Sequence, residues 1–261
     1  MNAYLNGNFI NLTQARIHAL EREASQAPGL FETMRSLRKN TVCLNGHVLR
    51  LKNSCSILGI RVGFRTAGLE EILRKVAVLN RGDDLYLRLT VWQQGRGAQI
   101  LVRARAYEPY SRKKYEDGFK LWVSPKLQDE KYLFARVKST NRLFYETAFQ
   151  EAKKHGFDEA LILNTRGQIC ECSRSNIFLV KDGEIFTPSV SCGCLPGVTR
   201  QVVMELAGKL KLKLHQGGFK LRDLQGCDEV FLTNSLMGIM PVTKCAKIAK
   251  LLRKKYACLL K

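Results

Sequence analysis

Hydrophobic positions recur along this chain at two spacings, every second residue and every three to four, and stretches of the two kinds alternate. Near the amino terminus, "AYLNGNFI" carries an Asn-Gly turn between short apolar runs, and "LFETMRSLRKNTVCLNG" predicts a further hairpin. Helices are expected next over "HVLRLKNSCSILGI" and "GLEEILRKVAVLN", then two β-rich runs, "DLYLRLTVW" and "AQILVRARAY". The segment "EPYSRKKYEDG", residues 108–118, is charged and poor in apolar residues and reads as a linker. Beyond it, "FKLWVS", "EALILN", "QICECS", "NIFLV" and "EIFTP" read as strands separated by the turns "NTRG" and "KDGE", with helices over roughly 142–155 and 198–210. The pattern predicts an α+β chain of two domains, 1–107 and 119–261, meeting at a cleft.

The helix after Arg142 has a regular apolar arc of Phe144, Tyr145, Ala148, Phe149 and Ala152, with Glu146, Gln150 and Lys153 facing away. Just before it, in "KSTN", a Ser or Thr would serve as the cap, and Lys138 adds little to helix initiation. That lysine needs another explanation.

Composition narrows the choices. A chain of 261 residues with 45% hydrophobic residues and six prolines is globular, and no apolar run reaches the ~20 residues that span a bilayer. The start "MNAYLNGNFINLTQ" has no basic region followed by an apolar one, so a cytoplasmic location is expected. The nine cysteines then read as reduced thiols; "ICEC" and "SCGC" lack partner pairs at zinc spacing, and no metal site is expected. Forty-three Lys and Arg against 23 Asp and Glu give a formal charge of +20. The charge is spread along the chain without a zinc finger or RNP-like motif, so nucleic acid is not the expected partner and small anions are. The tail "KCAKIAKLLRKKYACLLK" reads as an amphipathic helix packed through Ile248, Leu251, Leu252 and Leu259.

A lysine used covalently forms an imine with a carbonyl, and the best-known partner is the aldehyde of pyridoxal phosphate. That cofactor also needs donors for its phosphate and a carboxylate for its ring nitrogen. "CLPGVTRQVVMELA" sets Pro-Gly ahead of a helix beginning near Val198, where backbone N–H groups and the Thr199 hydroxyl could hold an anion; the same stretch serves equally as a turn and cap with nothing bound. Arg50 in "HVLRLKNS" is a second phosphate candidate, and Glu171 in "QICECSRSNIFLV" a candidate for the nitrogen.

In order, "GLFETMR", "HVLRLKNS", "RVKSTNRL", "ECSRSNIFLVKDGEIFTP", "LPGVTR" and "EVFLTNSLMGIMPV" resemble the fold-type IV pyridoxal-phosphate enzymes: branched-chain and D-amino-acid aminotransferases and 4-amino-4-deoxychorismate lyase. The resemblance runs from about residue 4 to 243. It implies the two-domain fold of the D-amino-acid aminotransferase kind, a homodimer, pyridoxal 5'-phosphate as cofactor and a small anionic amino substrate. Lys138 resembles the Schiff-base lysine, Arg50 the phosphate arginine and Glu171 the glutamate on the pyridine nitrogen, while Val198, Thr199 and Ser235 match phosphate contacts.

The same resemblance bears on the reaction. Branched-chain aminotransferases read "FEG" and "GTA" where this chain has "FET" and "TNS", so Thr33 and Asn234 resemble the lyase. "QGRG" is similar to a Gly-Gly-Arg-Gly segment of the lyase, which makes Arg96 the candidate for a substrate carboxylate. The segment "ALEREASQAPG" before "FET", and Val91 with Trp92 in "LTVWQQGRG", depart from the family pattern near the expected substrate position. The expectation is a lyase forming p-aminobenzoate and pyruvate for folate biosynthesis, with an amino-acid aminotransferase as the alternative.

Overall fold

The computed structural model describes residues 1–11, 29–63, 65–94, 97–242 and 246–259. The chain divides into two compact units, Met1–Glu108 with Lys138–Asn141, and Pro109–Val137 with Arg142–Lys261. Among the described residues no helix is long and apolar enough to cross a membrane.

The first unit is built on six antiparallel strands, β1 (Asn2–Leu5), β2 (Asn8–Asn11), β3 (Gly29–Leu37), β4 (Asn40–Thr41), β5 (Asp84–Gln94) and β6 (Gly97–Ala106), in the order β2-β1-β6-β5-β3-β4. The expected hairpin forms between β3 and β4, and its two turn residues, Arg38 and Lys39, take positive φ of 49° and 69°. A two-residue turn of this kind favours Asn or Gly. Here Lys39 Nζ donates to the carbonyls of Asn80 (3.0 Å) and Gly82 (2.7 Å), which offsets part of that strain. Helix α1 (Leu44–Ile57) starts three residues earlier than "HVLRL" suggests, and α2 (Thr66–Leu79) buries Leu69, Leu73 and Val76.

The second unit has two sheets. Strands β7 (Leu121–Gln128), β8 (Glu159–Asn164) and β9 (Ile169–Cys172) form one, with β7 and β8 parallel because helix α4 (Leu143–Lys154) lies between them in the chain. Strands β10 (Asn176–Lys181), β11 (Glu184–Pro188), β12 (Leu214–Gly217), β13 (Glu229–Asn234) and β14 (Gly238–Pro241) form the other, in the order β12-β11-β10-β13-β14. Helix α6 (Leu221–Gln225) precedes β13, and helices α5 (Val198–Lys209) and α7 (Lys247–Cys258) pack on a core that includes Phe178 stacked on Phe231 at 4.9 Å.

Three expectations differ from what forms. The linker segment contains helix α3 (Arg112–Asp117): the Ser111 hydroxyl accepts from Lys114 N at 3.2 Å, and Arg112–Glu116 and Lys113–Asp117 pair one turn apart. It belongs to the second unit, where the Tyr115 hydroxyl donates to the Met237 carbonyl at 2.6 Å. Lys138, expected with the second domain, groups with the first unit, since its segment pairs with β3. In α7, Ala249, Leu252 and Tyr256 are buried, whereas Leu251 and, just past its end, Leu259 are 40% and 52% exposed; the tyrosine ring lies where a side chain at Gly238 would stand.

Candidate active site

In the first unit, "KST" is laid along the start of β3. Phe31 N–H donates to the Lys138 carbonyl at 2.9 Å, Thr140 N–H donates to the Gly29 carbonyl at 2.8 Å, and Leu30 and Ser139 form a bridge. Only glycine fits at position 29, because a Cβ there would stand 2.6 Å from the Thr140 hydroxyl. Lys138 is thus held by its backbone rather than by a helix cap. Its amine stands 4.8 Å from the centre of the Phe31 ring, which also carries the Arg88 guanidinium at 3.9 Å. Side chains alternate along a strand, so Thr33 projects from the same face as Phe31, and Glu32 from the opposite one.

Glu32 is 1% exposed and meets two groups from α1. Arg50 reaches it with Nε at 2.9 Å and Nη2 at 2.5 Å, and His47 Nδ1 lies 2.7 Å from its Oε2. His47 and Arg50 are three residues apart on one helical face, which is why a single carboxylate serves both. Burial alone would keep Glu32 protonated, but the adjacent Arg50 charge and the His47 bond outweigh it and hold its carboxyl down at about 2. Burial pushes the His47 imidazole below its ordinary range despite the opposing Glu32 charge, so it is a neutral donor. Two of the three Arg50 nitrogens therefore serve Glu32, a buried partner that "HVLRL" by itself does not disclose.

In the second unit, Glu171 sits mid-strand in β9 between Cys170 and Cys172 and is 6% exposed. Its Oε1 accepts from the Tyr145 hydroxyl at 3.1 Å, and its Oε2 from Leu195 N at 3.2 Å and Asn176 Nδ2 at 3.4 Å. The Asn176 amide also donates to the Leu195 carbonyl at 2.9 Å, and a Cβ at Gly197 would collide with its oxygen. One asparagine thus fastens the turn "LPG" to the strand after Glu171. Gly197 is the N-cap of α5 and offers no side chain, so the first-turn N–H groups of Val198 and Thr199 have no side-chain cap. Arg200 holds this end of α5 by donating from Nη2 to the Pro188 carbonyl (2.9 Å) and Gln216 Oε1 (2.7 Å).

The other expected residues fare unequally. Ser235 lies in the turn between β13 and β14. The Asn234 amide is engaged by that turn: Oδ1 accepts from the backbone N–H of Leu236 (3.0 Å) and Met237 (2.9 Å), and Nδ2 donates to the Arg174 carbonyl at 3.3 Å, which accounts for Asn234 without a ligand. Arg96 and residues 12–28, the segment before "FET", lie outside the described residues. Sequence alone does not single out Glu32, His47, Tyr145 or Asn176, although the i,i+3 spacing of His47 and Arg50 and the Pro-Gly before Val198 are visible in it.

These groups fit pyridoxal phosphate. An anion suits an uncapped helix end whose N-cap must be glycine, and a buried carboxylate held by polar donors suits a ring nitrogen. Residues 29–245 match the family model of amino-transferase class IV, and the chain belongs to that family, whose cofactor is pyridoxal 5'-phosphate. A Methanocaldococcus jannaschii protein provisionally named a branched-chain-amino-acid aminotransferase is 30% identical over 93% of this chain and 87% of its own length. Two solved structures share the fold. The branched-chain aminotransferase of Thermoproteus uzoniensis with norvaline superposes with a TM-score of 0.92 at 24% identity, covering 100% of this chain and 95% of that one. A Legionella pneumophila structure provisionally named 4-amino-4-deoxychorismate lyase has a TM-score of 0.89 at 23% identity over 96% of this chain and 98% of that one.

Proposed function

We propose that this enzyme is a 4-amino-4-deoxychorismate lyase, releasing p-aminobenzoate and pyruvate. The observation that carries the reading is the Thr33 hydroxyl, which shares a strand face with Phe31, whose ring lies 4.8 Å from the Lys138 amine. An elimination that expels an enol oxygen needs a base and, close to it, a hydrogen-bond donor for the departing oxygen. A transaminase has no such leaving group.

In this reading Arg50, Thr199, the N–H groups at the start of α5 and Ser235 hold the cofactor phosphate, and Glu171 holds the ring nitrogen. The bound cofactor supplies an aldehyde for the substrate amine and a ring that accepts the electron pair left at the neighbouring carbon. Lys138 Nζ takes the proton from the amine-bearing carbon, and the Thr33 hydroxyl donates to the enol oxygen as it departs. The amino group leaves on the aromatic product and none is left behind, so no amino acceptor and no second substrate is needed.

The aminotransferase reading is favoured by the names of the relatives, among them the 30%-identical Methanocaldococcus jannaschii protein, further branched-chain aminotransferases and D-alanine aminotransferases. The two separate in one assay. With aminodeoxychorismate and no keto acid, a lyase turns over repeatedly, whereas a transaminase stops after one amino transfer. Thr33→Gly is expected to lower lyase turnover at unchanged cofactor binding. Failure to form p-aminobenzoate, together with amino exchange between leucine or D-alanine and 2-oxoglutarate, would overturn the lyase and leave the aminotransferase.

A further inference from the structure

Tyr145 follows Lys138 by seven residues on the first turn of α4, and its ring carries the Arg142 guanidinium at 4.5 Å. Arg142 is itself anchored by donating from Nη2 to the Ser173 carbonyl at 2.6 Å, two residues beyond Glu171. The tyrosine is therefore clamped between an anchored cation and the Glu171 carboxylate, to which its hydroxyl donates at 3.1 Å. Burial, and then the Glu171 charge beside it, push its phenol well above the ordinary range, so the hydroxyl keeps its proton and can only act as the donor in this contact.

We propose that Tyr145 is a positioning residue that acts through Glu171: its hydroxyl fixes Oε1 and favours the anionic carboxylate that the cofactor's ring nitrogen requires. The proposal rests on the reading of Glu171 as the carboxylate for that nitrogen. A donor on a carboxylate stabilises the charged form. Without it, the carboxylate and the nitrogen it faces hold their shared proton more tightly and give it up at higher pH. The other titratable or charged groups around Glu171 are Arg142 on α4, Cys170 and Cys172 in β9, Cys194 ahead of α5 and Arg200 within it. Burial raises all three thiols, so at neutral pH they are uncharged and do not compete with the tyrosine.

The test is a pH titration of the ring-nitrogen 15N chemical shift of the full-length protein loaded with 15N-labelled pyridoxal 5'-phosphate, in wild type, Tyr145→Phe and Glu171→Gln. Tyr145→Phe keeps the ring and the Arg142 contact and removes only the donor; its titration midpoint is expected to rise by about one pH unit. Difluorotyrosine placed at position 145 keeps the fold and makes the donor stronger, so its midpoint is expected to fall, and this variant decides the matter if Tyr145→Phe does not fold. A role in packing alone would move neither midpoint. If Glu171→Gln changes the profile and both tyrosine variants superimpose on wild type, the proposal for Tyr145 is wrong. If Glu171→Gln also superimposes on wild type, the reading of Glu171 has failed instead.

Discussion

Glu32 in the first unit and Glu159 in the second are about equally hidden, at 1% and 2% exposure, yet their carboxyls are shifted in opposite directions. Glu32 faces Arg50 and His47 and is held at about 2. Glu159 accepts from Ser173 Oγ (2.5 Å), Arg174 N (2.9 Å) and Ser175 Oγ (3.0 Å), and burial still pushes its carboxyl above the ordinary range, because these donors do not compensate for lost water. Hydrogen bonds place a buried carboxylate; a guanidinium in direct contact keeps it ionised. The first arrangement ties α1 to the strand bearing Thr33, and the second ties down the loop "SRS" between Glu171 and Asn176.

The contrast breaks most visibly at Arg50. Arg50→Ala strands the Glu32 charge and is expected to cost about 3–5 kcal/mol in chemical denaturation of the cofactor-free protein at pH 7, whereas Glu159→Gln, which removes a carboxyl that burial already disfavours as an anion and keeps a polar group of the same shape beside Ser173 and Ser175, costs less. Similar losses for both variants would mean that the two carboxylates do not differ as described.

Acid sharpens it further. A carboxyl depressed from 4.5 to about 2 contributes about 3 kcal/mol that is present above pH 4.5 and lost as pH falls toward 2. His47, lowered from 6.5, adds a contribution that is present above pH 6.5 and declines below it, since the buried ring resists protonation. Glu159 has the reverse sign: its raised value makes its contribution present below pH 4.5 and lost as pH rises through the folded value. Denaturation midpoints measured from pH 7 to 3 should therefore fall less steeply for Glu32→Gln than for wild type and more steeply for Glu159→Gln.

Smaller effects are expected around the turn that Asn176 fastens. Gly197→Ala forces the new methyl against the Asn176 amide and should cost about 1–3 kcal/mol in stability. Cofactor titration of Thr199→Ala should show weaker binding by roughly tenfold, the loss of one phosphate contact. The smallest effect is on the thiols. Burial raises Cys170 and Cys172 and pushes Cys194 up to about 12, so at pH 8 these three should resist a thiol reagent until the protein unfolds, while the exposed Cys258 reacts at once.

Much of the fold is legible in the sequence because its signals are local. The period of the apolar residues locates α4 and α5 to within a residue or two, and the Asn-Gly and Asp-Gly turns mark the β1–β2 and β10–β11 hairpins. The helix within the linker escapes such a reading for the opposite reason: "SRKKYED" is poor in apolar residues, but its cap and two ion pairs suffice for a short helix resting on Tyr115. The apolar arc of α4 suggests core, yet only Ala148 and Ala152 are buried, and Tyr145 turns its hydroxyl to Glu171.

The order of six motifs determined the family and the cofactor, because those depend on which side chains are present and in what sequence. Tertiary structure decided what each side chain meets. Lys138 is set on β3 by a strand more than a hundred residues earlier, Arg50 is bound to a carboxylate 18 residues before it, and Glu171 takes donors from positions 26 residues before and 24 after. No periodicity encodes such pairs; they exist only once loops have closed and water has left, which is also what makes their charges matter.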